Sequence, residues 1–250
     1  MIPLKTLVFD IELAPMTAYV WQRRDVNIAL NMIQKDWSVI AWSAKWLGDP
    51  ASKIIYYDQR NAKDVGNDKA ILKPLWKLLD EADVVITQNG KNFDSPKLNA
   101  RFIMYGWAPP SPYKHLDTYQ IVRRVAKFTS NKLEYLTEKL CTKYKKLAHS
   151  KFPGMSLWNE CLAGNMAAWD EMKRYNIHDV LATEELYDKV KAWAPQAMPS
   201  AFYVKDTSTE CHTCGRNDKM RRKGIEMTKR GPAQKYQCQG CGAWTQGKVK

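Results

Sequence analysis

Two acidic residues near the start of the chain are spaced so that they could hold a metal ion together. Asp10 and Glu12 stand two positions apart in residues 4–13, a segment otherwise rich in apolar strand formers. Side chains at i and i+2 of a strand share a face, so the two carboxylates are expected to project together. A divalent cation would relieve their repulsion at the end of a buried strand. Two exposed acids at a strand edge are the alternative explanation.

A third acid, Asp94, stands where a strand is expected to give way to a helix. It closes the run Asn89 to Phe93, between an apolar segment at 84–87 and a helical pattern at 94–106. Ligands of α/β proteins commonly bind at such junctions. An acid is also favourable as a helix N-cap, so capping alone would explain Asp94.

A fourth acid, Asp179, follows Tyr175 by four positions in a segment with helical periodicity. Residues four apart face the same way on a helix, so a phenol and a carboxylate are expected side by side. Taken alone, the pair has an ordinary explanation, with Tyr175 partly in the core and Asp179 at the surface.

Four of the six cysteines form two tight pairs near the end of the chain. Cys211 and Cys214 make one Cys-x-x-Cys-Gly sequence, and Cys238 and Cys241 make the other. Four thiolates from two such turns form a closed tetrahedral site typical of one structural Zn²⁺. A segment this short buries too little apolar surface to fold unaided, so we expect metal binding and folding to be coupled. The pattern resembles a zinc ribbon.

The chain is strongly basic, with a formal net charge of +13. More than half of this excess lies beyond residue 204, and Arg221, Arg222 and Lys223 form a cluster between the cysteine pairs. Such a cluster suits nucleic-acid phosphates, which it would contact without reading sequence. A solvated basic loop is the alternative.

Periodicity along the chain predicts an α/β protein. We expect strands at 4–13, 37–47, 53–58, 83–88 and 115–117, with helices at 68–81, 94–106 and through most of 118–192. A change of composition after Pro195 and Pro199 predicts a boundary near residue 200. The expected domains are therefore 1–200 and 201–250.

The three acidic motifs occur together in one known family. Asp10-x-Glu12, Asn89-x-x-x-Phe93-Asp94 and Tyr175-x-x-x-Asp179 resemble, in type and order, the DEDD superfamily of 3′→5′ exonucleases. The first two also look like the proofreading domains of family B DNA polymerases. Tyr175 matches the tyrosine subgroup, whereas the histidine subgroup would require His at position 174, which is Arg. The resemblance covers roughly residues 4–192.

This resemblance implies a ribonuclease-H-like mixed sheet flanked by helices, with a small zinc ribbon appended. It also implies two Mg²⁺ or Mn²⁺ ions held by Asp10, Glu12, Asp94 and Asp179. Asp10 would bridge both ions, and Asp94 would act mainly through the second ion and its water. The remaining expected roles are Tyr175 orienting the attacking water, and Asn89 and Phe93 contacting nucleic acid.

The expected activity is therefore 3′→5′ hydrolysis of nucleic acid, with single-stranded DNA as the favoured substrate. RNA trimming, a structure-selective endonuclease and a non-catalytic nucleic-acid-binding protein on the same fold are the alternatives. A polymerase or another replication or repair protein is a possible partner. No apolar run is long enough to span a membrane and no secretory signal is recognisable, so we expect a cytoplasmic location.

Two further residues carry weaker expectations. Asp117, at the end of a short predicted strand, is expected to cap a helix or to support the site from behind. Trp21, close to Arg23 and Arg24, is the tryptophan we would test as a substrate contact.

Overall fold

The computed structural model describes residues 5–145, 147, 151–194, 210–211, 213–228 and 231–247. The boundary expected near residue 200 lies outside these residues. Within them, the chain forms a five-stranded mixed sheet with six helices, followed by a separate three-stranded sheet that contains the cysteine pairs.

The central sheet consists of β1 (Thr6–Ala14), β4 (Ser38–Trp46), β5 (Ile55–Asp58), β6 (Val84–Thr87) and β7 (Lys114–Asp117). Its strand order is β5-β4-β1-β6-β7. The β5, β4 and β1 strands pair antiparallel, whereas β1, β6 and β7 run parallel. This is the mixed sheet expected from the sequence, with β1 at its centre.

Helices cover both faces of this sheet. They are α1 (Lys69–Glu81), α2 (Asp94–Met104), α3 (Thr118–Val125), α4 (Leu133–Leu140), α5 (Ser156–Leu162) and α6 (Met166–Val190). Because both faces are covered, β4 is buried almost throughout and shows no alternation of buried and exposed residues.

Side chains of β1 point alternately to the two faces of the sheet, so neighbouring residues contact different helices. Leu7, Phe9 and Ile11 pack in one cluster with residues of α1 and α2. Val8 points the other way and packs with Val180 of α6. Since Asp10 and Glu12 continue the row of Val8, they face α6.

A short hairpin between β1 and β4 was not predicted. Its strands, β2 (Thr17–Ala18) and β3 (Ile33–Lys35), pair antiparallel. Two- and three-residue strands leave no periodic signal in a sequence, which is why this element was missed.

The C-terminal sheet consists of β8 (Met220–Thr228), β9 (Gly231–Cys238) and β10 (Trp244–Gly247), all antiparallel. Arg221, Arg222 and Lys223 lie within β8 and not in a loop. They are part of the strand because they pair with β9: Arg221 lies opposite Gln237, and Arg222 lies opposite Tyr236. Helices long and apolar enough to cross a bilayer do not occur in the described part of the chain.

Candidate active site

Three of the four predicted acids meet at the face of the sheet that α6 covers. Asp10, Glu12 and Asp179 each place a carboxylate oxygen so that the three atoms lie within 4.8 Å of one another. Asp179 is buried, and the other two are half-buried. Three carboxylates at this distance repel each other strongly unless a cation lies between them. Oxygen ligands are what hard cations such as Mg²⁺ and Mn²⁺ prefer, so the donor set fits a divalent metal.

Asn176 fixes the orientation of Asp10. Its amide Nδ2 donates to Asp10 Oδ2 at 2.8 Å, and its backbone carbonyl accepts a hydrogen bond from Ser43 Oγ at 2.8 Å. The side chain is fully buried. One carboxylate oxygen of Asp10 is thereby held by α6, which leaves the other to face a metal. Sequence reasoning assigned no role to Asn176, although its position three before Asp179 places both on one helix face.

Asp94 lies against the same strand but outside that group of three. It is the first residue of α2, only 4% exposed, and its Oδ1 accepts the backbone N–H of Ile11 at 3.2 Å. The ladder between β1 and β6 ends at Val8, so Ile11 lies beyond the part of β1 that β6 pairs with. The N-cap residue of α2 is Phe93. Capping was the alternative explanation for Asp94, and the Asp94 side chain does not perform it.

The protonation of Asp94 reflects this setting. Burial raises the pKa of its carboxyl to about 7, and the nearby charge of Asp117 acts in the same direction. A divalent cation close to the group would favour its ionised form.

The loop before Asp94 is held by Asp117. This carboxylate accepts the backbone N–H of Asn89 at 2.9 Å and that of Lys91 at 3.0 Å. It also caps α3 through Gln120 N, which confirms the capping role expected for it. Asn89 has a positive φ of 63°, a conformation that asparagine tolerates better than most residues. A Cβ on Gly90 would lie 2.5 Å from Thr87 Oγ1, so only glycine fits there without movement.

His115 ties the end of β6 to the start of α2. Its Nε2 forms a hydrogen bond with Thr87 Oγ1 at 2.7 Å, and its Nδ1 lies 3.4 Å from Ser95 Oγ. Burial lowers the pKa of His115 to about 4, despite the opposing charge of Asp117. The imidazole is therefore neutral at neutral pH.

This neutral histidine predicts acid sensitivity. An unfolded histidine binds a proton near pH 6.5, whereas the folded one does so only near pH 4. Its contribution to stability is present above pH 6.5 and is lost as the pH falls from there towards 4. A His115→Gln variant should therefore lose less unfolding free energy than wild type between pH 7.5 and pH 5. Urea unfolding at the two pH values measures this, and equal losses in both proteins would contradict it.

An apolar cleft opens beside the acids. Its volume is ≈ 410 Å³. Leu13 and Ala14, which directly follow Glu12, form part of its wall, and Phe93 and Lys97 form another part. The remaining lining residues are Pro15, Met16, Trp37, Met155 and Trp158. The Lys97 ammonium lies 3.9 Å above the ring of Trp37, which puts a positive charge in an otherwise apolar wall.

Tyr175 packs against Trp158, a residue of the cleft wall. It is 7% exposed, and the two rings meet edge-on with centroids 6.2 Å apart. It stands one helical turn before Asp179 on α6, so its hydroxyl and that carboxylate are on the same face of the helix. Phe93, by contrast, is exposed at the cleft edge.

The four C-terminal cysteines form a second candidate metal site. Their sulfur atoms lie within 4.8 Å of one another, with Cys211 and Cys241 Sγ 3.5 Å apart and those of Cys214 and Cys238 3.6 Å apart. Each pair is closed by a turn in which the following glycine has a positive φ, 73° at Gly215 and 80° at Gly242. Arg221, Arg222 and Lys223 are exposed on the neighbouring strand, where the Arg222 guanidinium donates to Gln234.

Comparison with known proteins agrees with this architecture. The family model for the RNase_H superfamily matches residues 46–191, which include Asp94, Tyr175 and Asp179 but neither Asp10 nor Glu12. A DNA polymerase of Methanocaldococcus jannaschii is 31% identical over an alignment of 133 residues, and the match covers 43% of this chain and 8% of the polymerase.

A solved family B DNA polymerase from Pyrobaculum calidifontis superimposes with a TM-score of 0.50 at 16% identity, covering 76% of this chain and 25% of the polymerase. At that identity the likeness concerns the fold alone. The chain spans only a small part of either polymerase, and the family model covers more than half of the chain. The chain belongs to the RNase_H superfamily.

Proposed function

We propose that the protein is a metal-dependent 3′→5′ exonuclease of the tyrosine subgroup of DEDD enzymes, acting on single-stranded DNA. The observation that carries this proposal is the meeting of Asp10 and Glu12 of β1 with Asp179 of α6, while Asp94 at the start of α2 accepts a hydrogen bond from the backbone of β1. A structural role does not require three carboxylates so close together, because their mutual repulsion costs stability.

The metal ligands would be Asp10, Glu12 and Asp179, with Asp94 beside them. Divalent ions bound there supply an activated water and stabilise the leaving oxygen of the phosphodiester. Asn176 holds one oxygen of Asp10 and so sets the direction of the other. The Tyr175 hydroxyl would accept or donate a hydrogen bond that orients the attacking water.

The cleft beside the acids suits the last nucleoside of a strand. Its walls are apolar, and the exposed ring of Phe93 offers a surface on which a base can stack. Lys97 would face the phosphate that follows. Asn89, held by Asp117 in the adjoining loop, is placed to contact the same nucleotide.

For the C-terminal part we propose a zinc ribbon within residues 201–250, attached to a nuclease domain within residues 1–200. Four sulfurs at mutual contact distance suit one structural Zn²⁺ without an open coordination position. The exposed basic residues of β8 would add contacts to phosphates.

A labelled-oligonucleotide assay tests the activity. With 5′-labelled single-stranded DNA and Mg²⁺ or Mn²⁺, we expect a ladder of products that shortens from the 3′ end, and no products in chelator. A circular single strand should survive, because it has no end. Cleavage of the circle would identify an endonuclease, faster digestion of matched RNA would identify an exoribonuclease, and no hydrolysis of any substrate would contradict the enzyme.

A further inference from the structure

The segment between β1 and β4 presents apolar side chains to water. We call residues 17–35 the arm. Its base is formed by β2 and β3, and the Tyr19 N–H donates to the Met32 carbonyl at 3.1 Å. Beyond this base, Trp21 is fully exposed, Leu30 is 87% exposed and Tyr19 is 76% exposed. Large apolar groups gathered at one place on a surface commonly mark an interaction site.

The charges beside Trp21 indicate what kind of partner the arm meets. Arg23 and Arg24 stand two and three positions after it and are exposed. Among the residues that the structure describes, neither guanidinium forms an ion pair. Aromatic rings stack on nucleobases, whereas adjacent arginines neutralise phosphates, so the combination suits a single-stranded nucleic acid.

Both ends of the arm adjoin the cleft of the candidate active site. On one side Pro15 and Met16 line the cleft just before the arm begins, and on the other Trp37 lines it just after the arm ends. A strand whose end lies at Glu12 and whose last base occupies the cleft would therefore leave past the arm.

We propose that the arm binds the single strand upstream of the nucleotide being removed, with Tyr19 and Trp21 stacking on bases and Arg23 and Arg24 contacting phosphates. This proposal rests on the proposed function, because it takes its direction from a 3′ end placed at the acids. It also predicts dependence on substrate length, since only strands longer than the cleft can reach the arm.

The decisive variant is Trp21→Ala, measured in two ways. In chelator, its affinity for a long labelled single strand should fall about tenfold, the size of one lost stacking contact. With Mg²⁺, KM for the long strand should rise while kcat on a dinucleotide stays unchanged. Trp21→Phe should restore most of the affinity. Trp193→Ala, which removes another exposed tryptophan at the far end of α6, is the matched control and should behave like wild type.

The phosphate contacts proposed for the two arginines can be tested separately from stacking. Arg23→Ala and Arg24→Ala should each flatten the dependence of log affinity on log salt by about 0.7, the value for one phosphate contact on a single strand. Unchanged binding and an unchanged salt slope in all three arm variants would overturn the proposal.

The outcomes separate this proposal from the one it rests on. If wild type hydrolyses DNA and Trp21→Ala acts equally on long and short strands, the arm is not a binding surface and the exonuclease stands. If Trp21→Ala weakens binding but wild type hydrolyses nothing, the exonuclease fails, and of this proposal only the binding of a single strand by the arm stands, without its direction. If Trp21→Ala instead converts a self-associated wild type into a monomer without affecting DNA binding, the arm is a contact between copies, which also overturns the proposal.

Discussion

An Asp10→Asn variant is expected to lose hydrolysis by about three orders of magnitude or more, the scale seen when a central electrostatic element is removed from an active site. The substitution keeps the size of the side chain, and its amide oxygen can still accept from Asn176. What it removes is the negative charge in the three-acid group. Initial rates on single-stranded DNA, at saturating Mg²⁺ and at saturating Mn²⁺, measure the effect.

The matched control is Asp188→Asn. Asp188 lies on α6 like Asp179, but it is at the surface in an exposed ion pair with Lys191. Such pairs contribute little, so this variant should retain full activity and stability. Asp10→Asn should unfold at the same or a slightly higher denaturant concentration than wild type in chelator, because it relieves repulsion among the acids. Activity of Asp10→Asn within tenfold of wild type would mean that the metal site has been wrongly assigned.

Replacing Cys211 with Ser is expected to abolish zinc binding. Wild-type protein should carry one Zn²⁺ per chain, held by four thiolates, and losing one soft ligand opens a site that the fold needs closed. In small zinc domains the free energy of zinc binding, roughly 10–16 kcal/mol, is what stabilises the fold. Residues 210–247 should therefore unfold without the metal. Elemental analysis gives the stoichiometry, and protease digestion detects the unfolding.

Cys141→Ala is the control for this experiment. Cys141 is buried among apolar residues of α3, α4 and α6 and is no part of the four-sulfur group. Its variant should keep one zinc per chain. If the two parts fold independently, protease should cleave only the C-terminal part of Cys211→Ser. The remaining fragment should still digest DNA. Full zinc content in Cys211→Ser, or iron in place of zinc in wild type, would contradict the assignment.

The parts of this structure that were predictable from sequence are those set by local spacing. A two-residue period puts Asp10 and Glu12 on one face of β1, and a four-residue period puts Tyr175 and Asp179 on one face of α6. The apolar runs of β4 and β6 were recognisable because buried strands are apolar on both faces. The family comparison supports the same fold.

What was missed depends on contacts between distant segments. The hydrogen bond from Ile11 N to Asp94 joins residues 83 positions apart and has no local signature, so a cap was the simpler explanation for that acid. Asn176 was overlooked because an asparagine in a helix is unremarkable until the strand it meets is known. The basic cluster of β8 has low strand propensity, and it becomes a strand only through its pairing with β9.

The hydrogen bond between Asn176 and Asp10 has a consequence for folding. It joins residues separated by 166 positions, and Ser43 is joined to the same helix across 133. No short fragment contains the site, so the acids come together only after the longest loop of the domain has closed. If the proposed activity is confirmed, its appearance during refolding would therefore report the docking of α6 onto the sheet, and a chain emerging from the ribosome would carry no assembled site until α6 had docked.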